Sequence, residues 1–389
     1  MFSQRTNWRL APNALSRVLS EVRASGLEVL DLTISNPTEA GIRPDAETVL
    51  AALINPAAMH YDPQPRGLLE ARQAVCQYYR QSHEVFDLDP ERVLLTTSTS
   101  DAYSYIFRLL CNPGDEILVP KPSYPLFEFL ADLADVKLVP YPLIYDHGWQ
   151  IDFDSLYKAA TERSRAVILV HPNNPTGSYV SASETAALNA FCRDYNTALI
   201  VDEVFLDCAH DGAARPSFAA NAGALTFTLS GISKVSALPQ MKLAWAITSG
   251  PNDIVAEAGG RLEVIADTYL SLNAPVQLAA AVLLDQRKQI QPILLDRLRA
   301  NLAEVDRQLA GHPSCVRLQV EGGWYVVLRV PVLGTDEELA IDLLRKMSVI
   351  VHPGHFYDFP GDGYLVLSLI TEPTTFREGV SRVLQVVEA

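Results

Sequence analysis

The stretch SGISKVSALPQMKLAW (230–245) decides how this chain is read. Lys234 follows a run of small residues, and a second cation, Lys242, stands eight positions later. Small neighbours leave room for a flat aldehyde to meet the amine as a Schiff base, and the second charge suits an anionic tail on that aldehyde. The same stretch also fits an ordinary loop lysine beside a core strand. Residues elsewhere have to choose between these readings.

Upstream of this loop the chain alternates short β-rich runs with helical stretches, the pattern of an α/β unit with a mainly parallel sheet. VLLTTSTS (93–100) reads as a strand ending in a small-residue turn, and DAYSYIFRLL (101–110) as the helix after it. EILVP (116–120), VKLVPYPL (136–143), AVILVHP (166–172), ALIVDEVF (198–205) and ALTFTLSG (224–231) read as further strands, with a helix over 181–196. Each polar motif sits just past the carboxyl end of a strand, where open α/β sheets place their ligands. After Asn273 the character changes. Residues 274–309 read as long helix with a break around Pro292, and strands follow near 315–320, 324–330 and 364–370. A boundary near residue 280 is expected, with the N-terminal arm returning onto the C-terminal part.

Composition narrows the classes. A chain of 389 residues exceeds one simple core, so two domains are expected. A net charge of −15 argues against nucleic acid, which rewards clustered Lys and Arg. The five cysteines are scattered with no CxxC spacing, which suggests reduced thiols in the cytoplasm. MFSQRTNWRL lacks the apolar core of a signal peptide, and no apolar run approaches a membrane span. His352 and His355 stand at i and i+3, but without Cys or further acidic partners they read as loop histidines, and no metal is expected.

Other residues bear on Lys234. Asp202 closes a buried-looking strand, where a carboxylate is costly unless paired; a protonated pyridine nitrogen would suit it, as would a helix-capping role. In HPNNPTG (171–177) two prolines and a glycine fix a tight turn after a strand and can hold Asn174 toward the crevice. Thr99 and Ser100 open a helix, where free N–H groups make an anion site or a hydroxyl makes a cap. Tyr124, in KPSYP (121–125), follows another strand end and equally fits a buried core tyrosine.

In their order and spacing Tyr61, Thr99, Ser100, Tyr124, Asn174, Asp202, Lys234 and Lys242 resemble the pyridoxal-phosphate-dependent class I/II aminotransferases of fold type I. NPGDEILVP (112–120), EGGWYVV (321–327) and VHPG (351–354) add to the resemblance, which covers almost the whole chain. It implies an α/β fold: a large domain (41–280) with a mainly parallel seven-stranded sheet between helices, and a smaller α+β domain (281–389) joined by the N-terminal arm (1–40). It implies pyridoxal 5'-phosphate held by Lys234 as a Schiff base, with Asp202 on the ring nitrogen, Asn174 on the phenolic oxygen and Tyr124 stacked on the ring. Thr99, Ser100, Ser233 and Lys242 would bind phosphate, together with Tyr61 from the neighbouring subunit of a homodimer. The implied activity moves an amino group between an amino acid or amine and a 2-oxo acid.

Four departures limit the transfer. Lys242 replaces the family's usual arginine, keeping charge but losing the bidentate fork. Gly231 stands where a phosphate-binding serine is common, with Ser230 or Ser233 as possible substitutes. Phe205 replaces a tyrosine that donates to the phenolic oxygen, which predicts an imine that stays protonated to higher pH. Val366, in GYLVL (363–367), occupies the place of the arginine that clamps the substrate α-carboxylate. Arg43, Arg66 and Arg261 are candidates to replace it; otherwise the substrate lacks a conventional α-carboxylate. The stretch 264–277 has no Lys or Arg, which disfavours a dicarboxylate specialist. A lyase or decarboxylase on the same cofactor, or a non-catalytic relative, remains as an alternative.

Overall fold

The computed structural model describes residues 1–270 and 272–387. Its centre is an eight-stranded sheet in the order Val93–Thr96, Ala244–Ser249, Thr226–Gly231, Ala198–Asp202, Ser164–Val170, Glu116–Lys121, Lys137–Tyr145, Trp149–Ile151. The pairings from Thr226–Gly231 through Lys137–Tyr145 are parallel, and Ala244–Ser249 runs antiparallel to both of its neighbours. The resemblance implies seven strands. The eighth arises because the chain reverses after Tyr145 and adds Trp149–Ile151 antiparallel at the sheet edge.

Strand alternation sets the layers. Val167, Leu169, Leu199 and Val201 bury one face with Leu188 and Phe191 of helix Ala182–Tyr195. Ile168, Ile200 and Phe227 bury the other with Ile106 and Phe107 of helix Thr99–Leu110 and Leu262 of helix Asn252–Tyr269. Covered on both faces, these strands read as continuous apolar runs. Each large buried side chain contributes about 1.5–3 kcal/mol.

Residues 274–309 differ from the expected helix broken at Pro292. They form Ala274–Leu278, Ala280–Asp285 and Arg287–Leu309, with joints at Ala279 and Gln286 and Pro292 inside the third helix. Pro292 and Lys288 both lie on the exposed side, so the carbonyl freed by the missing N–H can reach water and the helix continues. Beyond it, Val316–Arg317, Tyr325–Arg329, Tyr364–Ser368 and His352–Pro353 form a small antiparallel sheet. The N-terminal segment returns to this part: Leu30–Asp31 pairs with Val349–Ile350, and helix Ala14–Ala24 packs on helix Asp336–Met347. One apolar cluster joins Leu15, Val18 and Leu32 to Leu294, Leu343, Leu367 and Val380, whereas Leu283 and Leu284 join Val75, Tyr78 and Trp245.

The HPNNPTG turn meets the EGGW segment directly. The Gly177 carbonyl accepts from Gly322 N–H at 3.0 Å and Glu321 N–H at 3.2 Å. Gly177 has φ +70°, and a Cβ there would stand 2.3 Å from Val320 Cγ2 and 2.4 Å from the Gly322 carbonyl oxygen. Gly177→Ala is therefore expected to destabilise the protein by about 2–4 kcal/mol, read as a lower thermal unfolding midpoint.

Candidate active site

Asp202, the last residue of its strand, is only 9 % exposed. Its Oδ1 accepts from Val204 N–H at 3.1 Å, and its Oδ2 accepts from the Tyr103 hydroxyl at 3.3 Å. Burial raises its pKa from 3.8 to about 6, against the pull of those two donors and of the Lys234 charge. Among the described residues no Lys, Arg or His lies within ion-pair distance of it. Glu203, the next residue, points elsewhere and accepts from Ser217 Oγ and Phe218 N–H, both at 2.7 Å.

Lys234 lies on the short helix Ile232–Val235 that follows strand Thr226–Gly231. Its Nζ donates to the Ser35 carbonyl at 3.1 Å and stands 4.5 Å from the centre of the Trp324 ring and 5.7 Å from that of Phe205. Desolvation lowers its pKa from 10.5 to about 8, with Cys208 and Asp202 opposing. The free amine, the nucleophilic form, is thus available near neutral pH. Cys208 offers no rival nucleophile, because burial pushes its thiol up to about 12.

Asn174 is buried, and its Oδ1 has no hydrogen-bond partner. Its neighbour Asn173 is fully occupied with structure, donating to the Pro122 carbonyl at 3.1 Å and to Thr176 Oγ1 at 2.9 Å. A buried amide left open at one end is poised for a ligand. At the start of helix Thr99–Leu110 the cap is Ser98, whose Oγ accepts from Asp101 N–H at 3.2 Å. Thr99 and Ser100 are therefore first-turn residues rather than caps, and their amides remain as donors for an anion. Tyr124 is held through its loop: Ser123 N–H donates to the Tyr357 carbonyl at 2.9 Å, and Lys121 pairs with Asp358 at 2.9 Å.

The departures have visible surroundings. Gly231 pairs with Ala244 across the sheet, and a Cβ at 231 would stand 2.9 Å from the Ala244 Cβ, so a serine there requires the strands to shift. Ser230 does not compensate, because it is wholly buried and its hydroxyl donates to the Glu203 carbonyl at 3.4 Å. Ser233 is partly buried on the same helix as Lys234, and Lys242 is exposed at φ +53°, two residues before the strand paired with Gly231. Phe205 packs on Trp324 with ring centres 5.2 Å apart. Val366 is fully buried, in register with Val327 and His352. His352 is neutral near pH 7, its pKa lowered to about 4 by burial, and its Nδ1 lies 3.0 Å from the Tyr357 hydroxyl.

Some candidates lie away from this edge. Arg66, partly buried, pairs with Glu263 at 2.8 Å, and the exposed Arg261 pairs with Glu257, so both are already engaged. Arg43 donates to the Thr38 carbonyl at 3.3 Å from an exposed position. Tyr61 is 74 % exposed in a groove lined by Met59, Asp62, Asn273 and Gln277, with no other candidate residue in it. The sequence pattern missed Tyr103 and Ser35. Tyr103 is one helical turn beyond Thr99 and Ser100, a spacing that places it on their face; nothing marked Ser35, which acts through its backbone.

An unpaired buried carboxylate, an open buried amide, a lysine with a depressed pKa and free helix-start amides along one sheet edge fit pyridoxal phosphate. Fold and site together define a pyridoxal-phosphate enzyme of fold type I. Residues 28–380 match the aminotransferase class I and II family, and the chain belongs to it. It is similar to the glutamate-pyruvate aminotransferase AlaA of Haemophilus influenzae, 29% identical over 353 residues with 88% of this chain and 87% of that protein covered. It is also similar to the LL-diaminopimelate aminotransferase of Moorella thermoacetica, 27% identical, covering 97% and 96%. The alanine aminotransferase of Pyrococcus furiosus shares the fold, with a TM-score of 0.89 at 24% identity over 100% of both chains. The protein is a pyridoxal-phosphate-dependent aminotransferase. Among the described residues no helix is long and apolar enough to cross a membrane.

The raised pKa of Asp202 makes a stability statement. Without a cation the charged form is penalised, so this residue destabilises the fold as pH rises from about 4 to about 6 and by a constant amount above that. Two pH units correspond to about 3 kcal/mol. Cofactor-free Asp202→Asn is therefore expected to be more stable than the parent at pH 7 by roughly 1–3 kcal/mol, with the gap closing near pH 4. Thermal unfolding across pH checks this.

Proposed function

We propose that Lys234 is the covalent anchor for pyridoxal phosphate and the proton carrier in transfer of an amino group between an amino acid or amine and a 2-oxo acid. The observation that carries this reading is the pairing of a Lys234 amine lowered to about pKa 8 with a buried Asp202 that lacks a counter-charge. When bound, the cofactor supplies an aldehyde for the amine and a cationic ring that withdraws electrons. Lys234 Nζ would take the proton from the amino-bearing carbon and deliver it to the cofactor's aldehyde carbon, with the reverse movement in the return step. Asp202 would keep the ring nitrogen protonated, Asn174 would orient the phenolic oxygen and Tyr124 would lie against the ring. Thr99, Ser100, Ser233 and Lys242 would hold the phosphate with Tyr61 from the neighbouring subunit of a homodimer, a reading supported by the exposure of Tyr61; the scattered cysteines support a cytoplasmic location.

The apolar clusters support a division into an arm (1–40), a large domain and a small domain. They favour a boundary between Leu284 and Ile290, slightly beyond residue 280. Lys234→Ala is expected to lower kcat at least ~10³-fold and to remove the cofactor's covalent absorbance while leaving the fold intact. Retained turnover and absorbance would sink the assignment.

The relatives' names point to amino acids and 2-oxo acids as substrates. Among the described residues the register partners of Val366, Val327 and the neutral His352, supply no cation in place of the missing arginine, which favours a donor with an uncharged group there. Val366→Arg is expected to raise kcat/KM for free α-amino acids by roughly tenfold or more. A panel of amino acids and amines identifies the donor: conversion of the cofactor to its amine form marks each one that is accepted.

A further inference from the structure

Tyr103 plays no part in the reaction described above, yet it is the side chain that touches Asp202. It is wholly buried on helix Thr99–Leu110, 2 % exposed, with its ring edge-on to Phe127 at 5.4 Å and to Phe107 at 6.0 Å. That packing fixes the ring, and its hydroxyl donates to Asp202 Oδ2 at 3.3 Å. The other carboxylate oxygen is held by the strand's own continuation, Val204 N–H. One donor is thus backbone and cannot be varied, and the other is a side chain specific to this helix.

We propose that Tyr103 is a positioning residue that holds Asp202 in its charged form and aims it at a cationic ring nitrogen; this rests on the assignment of Asp202 to that nitrogen. A buried carboxylate drifts toward its neutral form unless donors stabilise the charge. The titratable groups that face Asp202 are Tyr103 from the helix, Tyr124 from the loop after Lys121, Tyr79 behind the sheet, Lys234 from the short helix and Glu203 next in the chain. Of these only Tyr103 donates a hydrogen bond to Asp202, and burial keeps its phenol protonated across the working pH range. The donor is permanent, so it steadies the charge on Asp202 while the contribution of Lys234 changes during the reaction.

The test compares Tyr103→Phe with Asp202→Asn. The phenylalanine keeps the ring that packs on Phe127 and Phe107, so folding is not the variable. The midpoint of Asp202 is followed in cofactor-free protein carrying carboxyl-labelled aspartate, by nuclear magnetic resonance across pH. The dissociation constant of pyridoxal phosphate is measured on the same proteins. Tyr103→Phe is expected to move the Asp202 midpoint upward on the order of one pH unit. It is also expected to weaken cofactor binding roughly twofold at pH 7 and close to tenfold near pH 5, with the loss vanishing at high pH. An Asp202 midpoint that stays in place, or a loss of affinity that is the same at every pH, overturns the role of Tyr103. If Asp202→Asn binds the cofactor as tightly as the parent, the assignment of Asp202 fails first and the role of Tyr103 falls with it.

Discussion

Asp202 carries a negative charge into the end of a strand that is otherwise apolar and covered on both faces. Its burial is opposed by two hydrogen bonds and by a partial attraction to Lys234. Such a group weakens the fold until something cationic arrives to complete it. The rest of the site can be understood from that constraint. The parallel strands put their carboxyl ends on one edge, the loops after Thr96, Lys121, Val170 and Gly231 close around it, and Lys234 reaches the same edge over the Trp324 ring. The lysine and the aspartate each favour the charged form of the other, while burial pushes both toward neutrality, which for Lys234 is the nucleophilic form.

Much of this was legible in the sequence because it depends on strand ends. The runs at 116–120, 166–172, 198–205 and 224–231 are continuous apolar stretches bounded by turn residues, so the strands and the edge that carries Asn174, Asp202 and Lys234 follow from pattern. Position in the chain could not show that the hydroxyl on Asp202 comes from Tyr103, because residues 103 and 202 meet only through the packing of a helix on the sheet. The eighth strand escaped for a similar reason: Trp149–Ile151 is short and exists only by pairing with Lys137–Tyr145. Proline's low helix propensity predicts a break at Pro292. Exposure of that side of the helix overrides it, and the true joints at Ala279 and Gln286 have no breaker residue.

The departures from the family pattern differ in kind once placed in three dimensions. Gly231 belongs to a close strand contact with Ala244, so its missing hydroxyl is tied to local packing. Phe205 extends an aromatic wall with Trp324 beneath the Lys234 amine. Val366 is different, because it removes a charge rather than rearranging one, and its neighbours in register, Val327 and His352, restore none. The cofactor side of the site is thus kept while the substrate side is remade, the expected outcome when one ring chemistry serves different donors.

The central claim is that the amine of Lys234, and no other, holds the cofactor. Reduction of the loaded protein with borohydride fixes the cofactor to its lysine, and mass analysis of the digested protein locates the added mass. The account predicts one pyridoxyl group per chain, on the peptide that carries Lys234, and none after Lys234→Ala. The modification on Lys242 or another lysine, or its persistence in Lys234→Ala, would contradict it.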